Sequence, residues 1–569
     1  MKRQGTYAVN SASCMAETTP VRVIFFGGLG EIGRNCAAIE VEGRLIIVDV
    51  GIMFPEADMP GVDLVLPDFT YLRENADRVD GIVLTHGHED HVGGLSYLLR
   101  DLAAPIYGSA LAIGIASHRV REAGLSDQAR FVEVADGETV TIGPCEVEFI
   151  AVTHSVPSAH AIAFHTPQGV IVHSGDFKID LQPVDGRRTN LARFGEIANT
   201  TGIRLLLADS TNAEELGFTA SETDVGAVLR VIFLARTDKR IICACFASHL
   251  HRIQQIVDAA VLSGRKVATL GRSMQNNVEL ARRLGILTVP DGTLIDITTI
   301  DSYDPSQICV VSTGSQGEPL AALSLMASGQ SRFIELSDRD AVVISAHPIP
   351  GNEWGVGRVI DQLHRHGCEV IHSGNHAVHV SGHARRGELS ILQSVTKPEY
   401  FVPVHGEYRH LFHHRELAQS MGVAKENSLL ALDGDIVVLD EKGIRIEGHV
   451  PAGYLYVDGA DGDVDHGILR DRQVLATEGL VMVVVTVDLE ARDLVAEPEI
   501  ITRGWKAESA ERMLASEGVD TVAAAVRSAL KDPATDIDAL TKVARRALGR
   551  FVGTKMRRKA MIVPVIVGV

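Results

Sequence analysis

Between Val21 and Val83 the apolar residues fall in short runs broken by glycine and polar turns. VRVIFFGGLGEIGRNCAAIEVEGRLIIVDVG reads as strand, glycine turn, strand, turn, strand, with Glu42 and Gly43 closing an antiparallel hairpin. GIVLT (81–85) is a buried strand, and LSYLLRDL beyond it has a helical pattern. A β-rich stretch covers about 131–175, and IRLLLADST (203–211) is a further strand ending in polar residues. From about 220 to 370 the pattern changes to alternating helix and strand, as in SETDVGAVLRVIFLAR, KRIICACFAS, LHRIQQIVDAAVLSG and KVATLG. That alternation predicts a doubly wound α/β unit inserted into a β-rich domain. Strands return at 369–372 and 400–404, and LVMVVVTVDL, a helical stretch and IVPVIVGV predict a small α/β domain at the end.

Length and composition refine this picture. At 569 residues the chain is too long for one core. The boundaries read as a disordered lead over 1–20, a β-rich domain over 21–219 resuming at 373–464, the insertion over 220–372, a linker over 465–486 and a C-terminal domain over 487–569. No apolar run approaches the roughly 20 residues of a membrane span, and the first twenty residues lack a signal-peptide core. Seven scattered cysteines without a C-x-x-C argue for free thiols and a cytoplasmic setting. The net charge of −19 disfavours a non-specific nucleic-acid binder, although residues 541–569 hold eight Lys or Arg and no acid. That basic run reads equally as a solvated helix face or an RNA contact.

Gly28, Gly30 and Gly33 spell G-x-G-x-x-G, with Asp49 at the end of a later strand. A dinucleotide site would need a helix to start at those glycines. The residues that follow have a strand pattern, so they are read as a turn between strands.

LTHGHEDHVGG (84–94) carries the chemistry. His86 and His88, two apart on an extended tip, point the same way, and Asp90 and His91 follow where the chain turns into a helix. Imidazole and carboxylate are the donors zinc takes in catalytic sites. One loop cannot hold two metals. Other apolar runs end in matching residues: His154 in FIAVTHS, Asp176 in VIVHSGDFK and His405 in EYFVPVHGEYRH. Four strands ending this way point to a shared site at one edge of a sheet sandwich. HVSGH (379–383) offers two imidazoles, a hydroxyl and a glycine-opened backbone, a combination suited to a phosphate. Ser248 reads as the cap of a helix in FASHLHR.

The H-x-H-x-D-H motif with a later His, Asp and His resembles the metallo-β-lactamase superfamily. The insertion, LLLADSTNAE, HVSGHA and PVHGE narrow this to its β-CASP nucleases, and GGLGEIGRN, STGSQGEP (312–319) and HVSGHA together resemble the ribonuclease J family. The resemblance implies an α/β fold: an αββα sandwich with an inserted β-CASP domain and a small C-terminal α/β domain. It implies two zinc ions, with manganese or magnesium as alternatives. His86, His88 and His154 would hold one, Asp90, His91 and His405 the other, and Asp176 would bridge them, with a bridging hydroxide as nucleophile. Asp49 would orient a ligand histidine, and Asp209 would act near the metal-bound water or its ligands. His379, Val380, Ser381, Gly382 and His383 would bind the substrate phosphate, with His383 stabilising the reacting phosphorus or leaving oxygen. Ser248, His251 and Arg252 would receive a 5′-monophosphate, although the family usually has asparagine where this chain has His249. Gly61, Asp63 and Asp458 would hold a structural calcium.

The implied function is a metal-dependent ribonuclease. It would act as a 5′→3′ exonuclease preferring 5′-monophosphorylated single-stranded RNA and as an endonuclease, in mRNA decay and rRNA maturation. The implied assembly is a homodimer or homotetramer, in an RNA-decay or ribosome-associated complex. The alternatives are a DNA-processing β-CASP nuclease, a thioester or lactam hydrolase of the same superfamily, and a non-catalytic scaffold.

Overall fold

Two sheets take up the apolar runs on either side of the insertion. The computed structural model describes residues 19–56, 58–349, 352–459, 463–505 and 512–569, so the expected N-terminal lead lies outside it apart from Thr19 and Pro20. The first sheet has eight strands, in spatial order Gly443–His449, Asp435–Asp440, Val21–Gly27, Cys36–Val41, Arg44–Val48, Val79–Val83, Pro105–Gly108 and Arg130–Glu133. The second has six: Tyr400–Val404, Ile203–Asp209, Gly169–His173, His160–Thr166, Cys145–Ala151 and Thr139–Ile142. The hairpin at Glu42 and Gly43 has positive φ at both residues (50° and 77°), the geometry that matches the twist of paired strands. Gly28, Gly30 and Gly33 also have positive φ, and a strand, Cys36–Val41, follows them.

Side chains alternate between two cores with the period of a strand. Val147, Phe149, Leu205 and Leu207 face Val23, Phe25 and Ile39 of the first sheet. Ile150, Leu206 and Ala208 turn to the outer face, where they pack with Phe194, Leu389, Leu392 and Leu417 from three covering helices. Each fully buried Val, Leu, Ile or Phe side chain among them contributes about 1.5–3 kcal/mol.

The insertion begins with helix Glu222–Ala235 and builds a six-stranded parallel sheet in the order Leu294–Ile295, Lys266–Leu270, Ile308–Ser312, Arg240–Ala244, Asp340–Ile344, Glu369–His372. The near-continuous apolar strands IICA, ICVV and AVVI suit a sheet covered on both faces.

The described residues divide into two units. The first runs to Phe54 and from Leu66 to Tyr454; the second joins Pro55–Val65 to Leu455–Val569. The stretch 465–486, expected as a linker, instead holds helix His466–Glu478 and most of strand Leu480–Asp488. Val481, Val483, Val485 and Val487 of that strand form the C-terminal core with Val522, Leu540 and Leu548 from two helices. The alternating valines of LVMVVVTVD have the period of a strand with one buried face. LSYLLRDL holds a single short helical turn, Leu95–Leu98, rather than a longer helix. The basic run falls on helix Ile537–Phe551 and the residues after it. The six cysteines among the described residues are buried free thiols. No helix among the described residues is long and apolar enough to cross a membrane.

The fold serves the site most directly at Gly51. Backbone bonds from Asn35 N to Asp90 O, Val50 N to His91 O and Ile52 N to Glu89 O (3.0, 2.7 and 3.1 Å) clamp the histidine-rich loop onto this strand end. A Cβ on Gly51 would lie 1.7 Å from Asp90 O. Gly51→Ala is therefore expected to destabilise the first unit by about 1–3 kcal/mol and to lower bound metal, as measured by thermal unfolding and metal analysis.

Candidate functional site

Five of the expected metal ligands lie just beyond the end of a strand, and two lie in the short helix that follows the first of those strands. His86 and His88 follow Val79–Val83, and Asp90 and His91 lie in the short helix Glu89–Val92. His154 follows Cys145–Ala151, Asp176 follows Gly169–His173 and His405 follows Tyr400–Val404. The structure gathers the seven into two groups that share Asp176: His86, His88 and His154 on one side, Asp90, His91 and His405 on the other. Within each group the ligand atoms lie within 4.8 Å of one another. Asp176 Oδ2 stands 3.5 Å from His86 Nε2, 3.7 Å from His154 Nε2, 3.2 Å from His91 Nε2 and 3.5 Å from His405 Nε2.

The donor set fits two divalent cations. The outward nitrogens are held by the protein: His91 Nδ1 donates to Asp49 Oδ2 at 2.7 Å and His154 Nδ1 to Gly382 O at 2.9 Å. His405 Nδ1 bonds Thr211 Oγ1 at 2.8 Å, and His86 Nδ1 bonds Thr85 Oγ1 at 3.0 Å. Each Nε2 of these four is thereby left facing inward, the usual way a protein fixes a metal-binding imidazole. His405 Nε2 is buried with no hydrogen-bond partner among the described residues. Burial holds His86 and His154 well below the usual histidine range and pushes His88 down to about 4. Burial also works against a charge on His91 and His405. There the carboxylates prevail: Asp176, Asp90 and Asp49 raise His91, while Asp176, Asp90 and Asp209 lift His405 to about 9. The cluster thus calls for positive charge at its centre, which bound cations supply.

Asp49 and His405 both have positive φ (58° and 55°), a strained backbone for residues other than glycine. Asp49 also accepts from Thr85 N and Oγ1 at 2.8 and 2.7 Å, which fixes the carboxylate behind His91. Asp209 closes strand Ile203–Asp209 and accepts from His383 Nδ1 at 2.8 Å. Its other oxygen accepts from Thr211, which bonds His405. Burial opposes a charge on His383, and Asp209 overcomes it, so the His383 pKa is raised.

Residues 379–383 lie beside this centre. The Gly382 carbonyl orients His154, and a Cβ at Gly382 would stand 2.7 Å from the His154 ring. Asn212 Nδ2 donates to Ser381 Oγ at 2.8 Å and to His383 O at 3.1 Å, and Thr219 Oγ1 donates to His383 O at 2.9 Å. Asn212, Thr219, Thr85, Thr211 and Asn35 are positioning residues that the sequence did not single out. Asn35, in GGLGEIGRN, reaches Asp90 O at 3.0 Å and His91 Nε2 at 3.1 Å. Its only signal was its place in that motif.

Two expectations need correction. Arg252 is fully buried and spends its guanidinium on the protein, on Glu222 Oε1, Gln255 Oε1, Ser345 and Val378 O. It therefore anchors the carbonyl before His379 rather than presenting itself to a phosphate. His251 is buried with Nε2 3.1 Å from Asp185 Oδ2, and Ser248 lies half-buried in the preceding turn. The helix cap is His249, not Ser248, with its side chain accepting from Arg252 N. The proposed structural cation site also differs. Gly61 O and Asp458 Oδ2 both receive Arg472, at 2.8 and 2.5 Å, and Asp63 Oδ2 accepts from Gly459 N at 2.8 Å. The positive charge there is a guanidinium, and these residues do not present a free donor set for calcium.

Removing the carboxylate behind His91 is expected to weaken metal binding about 10- to 100-fold. Asp49→Ala tests this by chelator competition, and an unchanged affinity would show that Asp49 does not orient the ligand.

Comparison with known proteins shows the family. Residues 29–213 match the metallo-beta-lactamase superfamily, 238–363 the ribonuclease J beta-CASP domain, 370–429 the Zn-dependent metallo-hydrolase RNA specificity domain and 467–569 the ribonuclease J C-terminal domain. The chain is 42% identical to ribonuclease J of Mycobacterium tuberculosis, over 96% of this chain and 97% of that protein. It is 40% identical to ribonuclease J 1 of Streptococcus pyogenes, with the same coverage, and 37% identical to ribonuclease J2 of Bacillus subtilis, over 97% and 99%. A crystal structure of a protein of unknown function from Enterococcus faecalis V583 shares the fold over 74% of this chain and 100% of its own, with a TM-score of 0.52 and 17% identity. With its metal-ligand clusters and its four matched domains, this chain belongs to the ribonuclease J family.

Proposed function

We propose that this chain hydrolyses phosphodiester bonds of single-stranded RNA. It works as a 5′→3′ exonuclease that prefers a 5′-monophosphate and also cuts internally, in mRNA decay and rRNA maturation in the cytoplasm. The reading rests on one observation: the Gly382 carbonyl that orients the metal-facing His154 belongs to the phosphate cradle His379–His383. A scissile phosphate held by the cradle is thereby fixed against the metal-binding nitrogens.

Two divalent cations, zinc foremost with manganese or magnesium as alternatives, supply an activated water and neutralise charge at phosphorus when bound. The residues of the chain do the rest. His86, His88 and His154 would hold one cation, Asp90, His91 and His405 the other, and Asp176 both. Asp49, Thr85 and Thr211 keep the imidazoles pointed inward. His383, its Nδ1 proton held by Asp209 and its pKa raised, is placed to stabilise developing charge or to protonate the leaving oxygen. His86, His91 and His154 are almost wholly buried, so a phosphodiester reaches them as a separated strand rather than within a duplex. The working assembly is a homodimer or homotetramer engaged with other RNA-decay or ribosome-associated proteins.

The test uses two end-labelled single-stranded RNAs that differ only in a 5′-monophosphate or 5′-triphosphate, with and without chelator. The expected result is metal-dependent release of mononucleotides, faster from the monophosphate RNA, and its loss in Asp90→Ala/His91→Ala. Internal cuts alone would remove the 5′-end reading. Hydrolysis of a thioester with both RNAs untouched would remove the nuclease reading.

A further inference from the structure

The basic run at 541–569 has no part in the metal centre, and the structure shows how its charges are displayed. Helix Ile537–Phe551 turns Leu540, Ala544, Leu548 and Phe551 into the C-terminal core. Lys542, Arg545, Arg546 and Arg550 fall on the opposite face at helical spacing, and all four are exposed. None of these four side chains has an ion pair or hydrogen bond among the described residues. Lys555, Arg557, Arg558 and Lys559 follow, again exposed. Lys555 Nζ lies 3.5 Å from Glu517 Oε2, a surface pair with both ends more than half exposed, and such a pair holds little. The segment that carries the others is tied down: Arg558 stands over the Trp505 ring at 5.4 Å, and the Trp505 indole donates to Glu478 O at 3.0 Å. We propose that this basic face binds the sugar–phosphate backbone of a single RNA strand, at nucleotides other than those at the metal centre, and so holds long substrates on the enzyme. The proposal rests on the ribonuclease reading above.

The chemistry favours a polyanion. Lys542, Arg546 and Arg550 are spaced four apart, and like charges at that spacing repel one another on a helix. Acids interspersed among them would relieve the repulsion, as on an ordinary solvated face. The acids of this helix lie instead at its start, where Asp536 caps it and Asp538 stands in the first turn. The helix dipole accounts for Arg550 in the last turn but not for Lys542, Arg545 and Arg546 within the helix. The chain as a whole carries a charge of −19, which repels RNA at a distance, so contact needs a local field of opposite sign. Lys542 and Arg550 lie about 12 Å apart along the helix axis, a span that suits a run of phosphates rather than one small anion. The apolar residues between them are buried or half-buried, so the face offers nothing for insertion into a bilayer or an apolar groove.

The experiment measures binding of a long unstructured RNA by fluorescence anisotropy over a range of salt, in the full-length Asp90→Ala/His91→Ala background so that the strand is not consumed. Adding Lys542→Gln, Arg545→Gln, Arg546→Gln and Arg550→Gln is expected to weaken binding about tenfold at low salt. It is also expected to reduce the slope of log affinity against log salt by about 3, roughly 0.7 for each of four phosphate contacts. Exchanging the cations, Lys542→Arg with Arg545→Lys, Arg546→Lys and Arg550→Lys, is expected to keep both affinity and slope. In the metal-loaded chain with its centre intact, the glutamine changes are expected to lower kcat/KM for the long RNA more than for a trinucleotide, through KM. Unchanged affinity and salt slope overturn the proposal and leave a solvated helix face. An equal loss on the long RNA and the trinucleotide also overturns it, and marks a defect of folding or assembly. Binding to phosphatidylserine vesicles that the glutamine changes abolish, with RNA affinity untouched, overturns it in favour of a membrane surface. If the unmodified chain cuts neither RNA, the ribonuclease reading fails, whereas the anisotropy still decides whether this face binds RNA.

Discussion

The site depends on bringing imidazoles and carboxylates together in a buried place, where charge is costly unless it is balanced. Asp176 is the pivot, within 3.7 Å of inward nitrogens from both groups. Such a cluster holds its geometry only if each member is tied from behind. The ties come from Asp49, Thr85, Thr211 and Gly382 O. The positive φ of Asp49 and His405 shows the backbone itself bent to meet this demand.

The two sheets and the insertion divide the labour. The sandwich supplies donors at the ends of its strands, an arrangement that follows from parallel neighbours such as Ile203–Asp209 and Tyr400–Val404 delivering Asp209 and His405 side by side. The insertion contributes position more than chemistry. Its buried Glu222–Arg252–Ser345 network grips the chain just before His379, and Gln316 grips it at His347. STGSQGEP, a marker without a role in the sequence, is in the structure a backbone clamp.

The departures from expectation share a cause. Arginine in a motif looks like a phosphate ligand, yet a guanidinium with five donors is also well suited to tie loops together in a core, and Arg252 does so. Gly61, Asp63 and Asp458 look like cation donors until Arg472, distant in sequence from Gly61, is placed among them. In both cases the competing partner lies far along the chain, and residue type alone carries no record of it.

The local pattern determined a good deal. Alternating apolar residues specified the strands, the helix–strand alternation specified the inserted parallel sheet, and H-x-H-x-D-H with His154, Asp176 and His405 near strand ends picked out the candidate donors that the structure gathers, because metal chemistry admits few residue types. Tertiary structure alone decided the rest. The pairing of strands brought Asp49 to His91 and Asp209 to His383, packing drew Arg252 inside, and loop geometry stacked the ring of His347 on that of His379. Those are relations between residues separated by tens to hundreds of positions, fixed by hydrogen-bond direction and close packing, which no local pattern encodes.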